Sequence, residues 1–253
     1  MRRVVGTFVI CLGLLAMKPA HAEDADICNV PAYLLTTESE LPKVASVVKN
    51  RQPLNVVVVG SRSSSLNSPD GLSISYPARF EAALRKKMPG IDVRVTLDLR
   101  PKQSAEEVVA DFEAIVRNSR PSLLIWQTGT VDAMRAIDPD DFRAALDEGV
   151  ATLQKLNTDV ILINLQYSPR MESMLAVAPY NDTMRFVAQQ RNVPMFDRFS
   201  IMRQWSEAGD FDLFGPAHGF GMAKRVHDCI GRALSEFMID AAHINQVEFG
   251  IQK

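Results

Sequence analysis

The 253-residue chain has little that would mark a cofactor-, metal- or nucleic-acid-dependent protein. No P-loop occurs and no G-x-G-x-x-G follows a strand, which excludes the two common glycine-rich phosphate cradles. No His/Cys/carboxylate group has zinc or EF-hand spacing, so no metal and no cofactor is expected. Lys and Arg number 28 against 30 Asp and Glu, so there is no basic excess for nucleic acid. Of only three cysteines none stands in a C-x-x-C pair, which removes the dithiol redox motif and the zinc ribbon. Internal repeats and low-complexity tracts are absent too. The apolar run Val4 to Met17 is too short for a permanent membrane span, so no stable membrane anchor is expected.

That run is a leader instead. Arg2 and Arg3 precede it and Ala20-His21-Ala22 follows as a small-x-small cleavage site, so residues 1–22 read as a secretory signal peptide. The mature chain then starts near Glu23 in the periplasm or outside the cell, and losing Arg2, Arg3 and Lys18 leaves it with a net charge of −5. Cys11 leaves with the leader. Cys28 and Cys229 remain as an even pair in an oxidising setting, for which a disulfide is expected. The alternative is two thiols, since Cys229 also fits a buried helix face.

Residues 23–253 read as one domain with its core at about 53–240. Leu54 to Gly60 carries four consecutive valines, the pattern of a strand buried on both faces. It ends abruptly at Gly60-Ser61, and ligands of open α/β sheets bind beyond such strand ends. Further strands are predicted at Ile91–Leu97, Ser122–Gln127, Asp159–Leu165 and Val193–Phe196. Helices are predicted at Pro42–Lys49 and Tyr76–Met88. Ser104, with Glu107 as capping-box partner, opens another that shows Val108, Val109, Phe112, Ile115 and Val116 on one face. Asp140–Leu156 follows, then Met171–Arg191 interrupted at Pro179, Phe199–Glu207 and Met222–Ile239. Ser61–Ser75, Thr128–Asp132 and Ala208–Phe220 read as loops. The alternation predicts a single three-layer α/β/α domain with a parallel sheet.

Several segments together resemble the SGNH (GDSL-type) hydrolases, esterases and lipases on a flavodoxin-like sheet. They are Gly60-Ser61 with Ser63-Ser64; Ser75-Tyr76-Pro77-Ala78-Arg79; Arg120-Pro121 with Ile125-Trp126-Gln127-Thr128-Gly129-Thr130; Gln166-Tyr167-Ser168-Pro169; and Val193-Pro194-Met195-Phe196 with Arg198-Phe199 and Met202-Arg203. A Gly-rich loop before a final helix carrying a Cys completes the set. The resemblance covers about residues 28 to 240 and implies that fold and an ester-hydrolase ancestry.

The same resemblance locates four departures. The nucleophile position holds Arg62. The segment that should offer an oxyanion glycine is Asp98-Leu99-Arg100-Pro101-Lys102. The Asn that donates to the oxyanion is Val131. The closing Asp-x-x-His aligns with His218-Gly219-Phe220-Gly221, so the acid is His218 and the base Gly221. Arginine stays protonated and is no nucleophile, valine donates nothing, and each oxyanion donor is worth roughly 3–4 kcal/mol of barrier.

Two readings follow. In the first the site is degenerate and the protein binds a ligand or partner without catalysis. The ligand is then a small anion or a glycan held by Ser61, Arg62, Ser63, Arg100, Lys102 and Asp132, unless Arg62 pairs internally with Asp132. In the alternative the chain is an esterase acting on acyl or acetyl esters through a rearranged triad, with Ser63 as nucleophile, His218 as base and Asp210 or Asp212 orienting it. His227 reads as a surface residue of the last helix, and His243 lies in the tail.

Overall fold

A computed structural model describes residues 28–213 and 219–250. The signal-peptide assignment and His218 lie outside these residues.

The valine stretch forms β1 (Leu54–Gly60), buried along nearly its whole length. The others are β2 (Val93–Leu99), β3 (Leu123–Gln127), β4 (Asp159–Ile163) and β5 (Met195–Phe196). All pairings are parallel, in the order β2-β1-β3-β4-β5, the flavodoxin-like arrangement. β2 starts and ends two residues later than its Val/polar alternation suggests. It pairs with β1 residue by residue from Leu54↔Val93 to Gly60↔Leu99, so β1 sets its length.

The helices are α1 (Pro42–Lys49), α2 (Tyr76–Lys87), α3 (Ala105–Val109), α4 (Phe112–Ser119), α5 (Thr130–Met134), α6 (Pro139–Lys155), α7 (Pro169–Met174), α8 (Val177–Arg191), α9 (Arg198–Ala208) and α10 (Gly219–Ala241). The chain crosses from β1 to β2 in one direction and to β3, β4 and β5 in the other. Right-handed crossovers therefore put α2 on one face and α3, α4, α6 and α8 on the other. α10 packs beside α2, and α6 packs on α8, α3 and α4. Trp126, Phe112, Phe142 and Leu153 are fully buried on one side, Phe80, Leu84, Leu234 and Phe237 on the other.

Three elements differ from their sequence pattern. The helix opened by Ser104 breaks into α3 and α4 where Asp111 reaches Arg100 in an ion pair, though the Ser104–Glu107 capping box is present. Pro179 does not interrupt α8. It sits in the first turn, where a missing N–H costs nothing, and the break falls at Leu175–Ala176. Thr128–Asp132 is not all loop, because Thr130 starts the short helix α5.

The disulfide between Cys28 and Cys229 is present, with Cα atoms 5.0 Å apart, and ties the N-terminal segment to α10. Among the described residues no helix is long and apolar enough to cross a membrane, and no His/Cys/Asp/Glu group could hold a metal.

Candidate functional site

The carboxyl ends of β1, β2 and β3 meet at one edge of the sheet. β1 ends at Gly60, and the chain turns at once into a single 3-10 turn over Arg62–Ser64. Gly60 is required by close approach: a Cβ there would lie 2.0 Å from Ser64 Oγ. The tight turn folds Ser64 back under the strand tip, fully buried, and leaves Arg62 pointing to solvent. No hydrogen bond or ion pair engages the Arg62 guanidinium among the described residues.

Gln127, the last residue of β3, organises what lies beneath. Its side-chain carbonyl accepts from Ser64 Oγ at 2.8 Å, from the Tyr76 hydroxyl at 3.0 Å and from Arg198 Nη1 at 3.0 Å. Its amide nitrogen donates to Ser61 Oγ at 3.0 Å and to Ser63 Oγ at 2.9 Å. Ser61 and Ser63 also stand 3.3 Å apart. Both hydroxyls at the strand tip are therefore held by an amide, which takes no proton from a serine as a triad histidine does.

Behind Gln127 lies a buried cation. Arg198 opens α9 and is 2% exposed, yet its Nε and Nη2 make no hydrogen bond. Burial alone pulls its pKa down to about 10. Tyr76 is pushed up by burial, with the Arg198 charge working against that. His227 accepts the Tyr76 backbone N–H on Nδ1 at 2.9 Å, so that nitrogen carries no proton. Burial first, then the Arg198 charge, bring His227 down to about 4. His227 is thus no surface residue: it joins α10 to the first turn of α2. His243 lies at the surface, 3.4 Å from Glu40.

Of the remaining expected site residues, Arg100, Val131 and Asp132 line one small space with Ser61, while the others lie at the surface. Arg100 is neutralised by Asp98 at 2.9 Å and by Asp111. Lys102 is exposed with a left-handed backbone, its carbonyl accepting from Arg135. Asp132 is buried, and its Oδ1 accepts the Ala105 N–H at 2.9 Å, bracketing α5 to the start of α3. It forms no pair with Arg62. Burial raises its pKa, and backbone N–H groups oppose that. Val131 is half-buried; Gly221, Asp210 and Asp212 are exposed. Among the described residues no histidine is bonded to Ser61, Ser63 or Ser64.

The space enclosed between these loop ends is lined by Gly60, Ser61, Gln103, Gln127, Val131 and Asp132. It leaves about 10 Å³ for the centre of a water molecule, room for about one water. Sequence reasoning quoted Gln127, Tyr76 and Arg198 for their resemblance but gave them no role. A glutamine closing an apolar strand, in line with a Ser-rich tip, is the signal that was there to read.

A parallel β2-β1-β3-β4-β5 sheet with the site gathered at the ends of β1 and β3 is the architecture of the SGNH-type hydrolases. The chain belongs to the non-GDSL lipase-like family, whose model matches residues 27–244. Similar solved structures include a G-D-S-L family protein from Desulfitobacterium hafniense DCB-2, 19% identical, with a TM-score of 0.53, covering 72% of this chain and 98% of that one. The acetylxylan esterase Axe2 from Geobacillus stearothermophilus is 15% identical with a TM-score of 0.59, covering 76% and 95%. A two-domain esterase active on acetylated mannans is 15% identical with a TM-score of 0.64, covering 83% of this chain and 56% of that one. At these identities the likeness shows the fold alone. No curated protein matches the chain in sequence.

Proposed function

We propose that this is an exported SGNH-hydrolase-fold protein whose catalytic site is degenerate and which binds a ligand without hydrolysing it. The observation that carries the reading is the strand tip. The nucleophile position is a solvent-facing Arg62, and the hydroxyls on either side of it, Ser61 and Ser63, are bonded to the Gln127 amide. Activation of a serine needs a base in hydrogen-bond reach, oriented by a third group. The ligand is a small anion or a glycan approaching Arg62 and Lys102, the two cations of the edge that no carboxylate neutralises among the described residues. The apolar run with its Ala20-His21-Ala22 site supports export.

The second reading is an esterase with Ser63 as nucleophile, His218 as base and Asp212 behind it. It is favoured by the half-buried Ser63 hydroxyl at the strand end and by a family described as lipase-like. A fluorophosphonate probe separates the two. The wild-type protein and Arg62→Ser are both expected to stay unlabelled, because the substitution returns a hydroxyl without a base or an oxyanion donor. Labelling that maps to Ser63 in the wild type would establish the esterase reading.

A further inference from the structure

Three buried polar atoms beneath the strand tip have no hydrogen-bond partner among the described residues. They are Trp126 Nε1, Gln103 Oε1 and Asp132 Oδ2. All three residues line the same small space, which leaves about 10 Å³ for the centre of a water molecule. Separate segments bring them there. Trp126 belongs to β3. Phe112 meets its ring edge-on at 4.9 Å, and Gly149 lets α6 come close on it, since a Cβ there would lie 2.7 Å from Trp126 Cζ3. Asp132 belongs to α5, whose N-cap Gly129 has a φ of 90°, a turn that lets the helix start soon after β3. Gln103 precedes Ser104, the cap of α3. The Ala105 N–H of that cap takes Asp132 Oδ1 at 2.9 Å and leaves Oδ2 as the other oxygen.

The three atoms differ in kind. An indole N–H only donates, whereas an amide oxygen and a carboxylate oxygen accept. Buried polar groups left unpaired are costly, so such a set calls for a shared partner. One donor and two acceptors complement a water molecule, which accepts from the first and gives one proton to each of the others. The two acceptor oxygens repel an anion, and the indole N–H repels a metal cation. The volume fits one molecule of water size.

We infer that this space binds one long-lived water that bridges Trp126 Nε1, Gln103 Oε1 and Asp132 Oδ2, tying β3, α5 and the start of α3 together. The inference goes beyond the reading of the strand tip and holds whether or not Ser63 is a nucleophile. The chain has two tryptophans. Trp205 is the internal control, because its Nε1 donates to the Asn29 carbonyl at 2.9 Å. In isotope-labelled, disulfide-bonded protein both indole protons are assigned through the backbone. Their cross-peaks to the water resonance are then recorded in laboratory-frame and rotating-frame Overhauser spectra. A dipolar cross-peak, opposite in sign in the two experiments, is expected for Trp126 and not for Trp205. Gln103→Met puts a methyl where the amide oxygen was and is expected to weaken or remove it, while an unshifted Trp205 signal reports that the variant is folded. A Trp126 proton without that cross-peak, as a direct bond from a protonated Asp132 to Gln103 would give, overturns the inference. So does a cross-peak that Gln103→Met leaves at full strength.

Discussion

Gln127 ties the strand tip together. Its carbonyl oxygen takes three donors and its amide nitrogen serves two serines. Ser61 and Ser63 thereby accept from one amide and are bonded to each other in a shared network. The same network carries Arg198, a charge with no carboxylate partner among the described residues, and burying such a charge costs several kcal/mol before its hydrogen bonds offset part of it. His227 is kept neutral beside it. The folded protein binds that proton only near pH 4, whereas the unfolded chain binds it near 6.5. Stability from this residue is therefore complete above pH 6.5 and falls as pH drops toward 4, by at most about 1.4 kcal/mol per pH unit. His227→Asn keeps an acceptor for the Tyr76 N–H and removes the titration. Urea midpoints measured between pH 6.5 and pH 4 should show the variant gaining on the wild type as pH falls; a constant offset would refute the assignment. Asp159, raised to about 6 mainly by burial, titrates in the opposite sense in both proteins and cancels in the comparison.

At the scale of elements, most of the sheet was legible. β1 announces itself through its valines, and α1, α6 and α9 follow their apolar spacing to within a residue or two. Pattern alone did not show the break between α3 and α4, because both halves keep one apolar face; the break falls beside Asp111, which pairs with Arg100 eleven positions away. It also did not show that α2 and α10 would meet through Gly231, which depends on which helices share a face. That contact predicts a cost. Gly231→Ala places a methyl within 2.8 Å of the Tyr76 carbonyl and 2.7 Å of the Phe80 nitrogen, backbone atoms that cannot swing aside. A loss of about 1–3 kcal/mol is expected from chemical denaturation, although alanine favours helices elsewhere. A variant as stable as the wild type would mean the helices are further apart than described.

For the whole molecule, the fold and the position of the site were readable because strand ends are marked by glycine and serine, and a parallel sheet gathers its ligand loops at one edge. The side-chain network under that edge was not, since its members come from the turn after β1 and from α2, β3, α9 and α10 and share no local pattern. The Cys28–Cys229 bridge joins residues 201 positions apart. With Cys11 removed in the proposed leader, the mature protein should show no thiol reactive to maleimide, and reduction should cost about 2–4 kcal/mol of stability. Two reactive thiols in the native exported protein would contradict the bridge. The central claim is that the hydrolase fold here has lost its chemistry. The direct measurement is turnover of a short-chain aryl ester by the purified protein alongside Ser63→Ala. Equal rates, both at the level of the uncatalysed reaction, are predicted; turnover by the wild type that Ser63→Ala abolishes would contradict it.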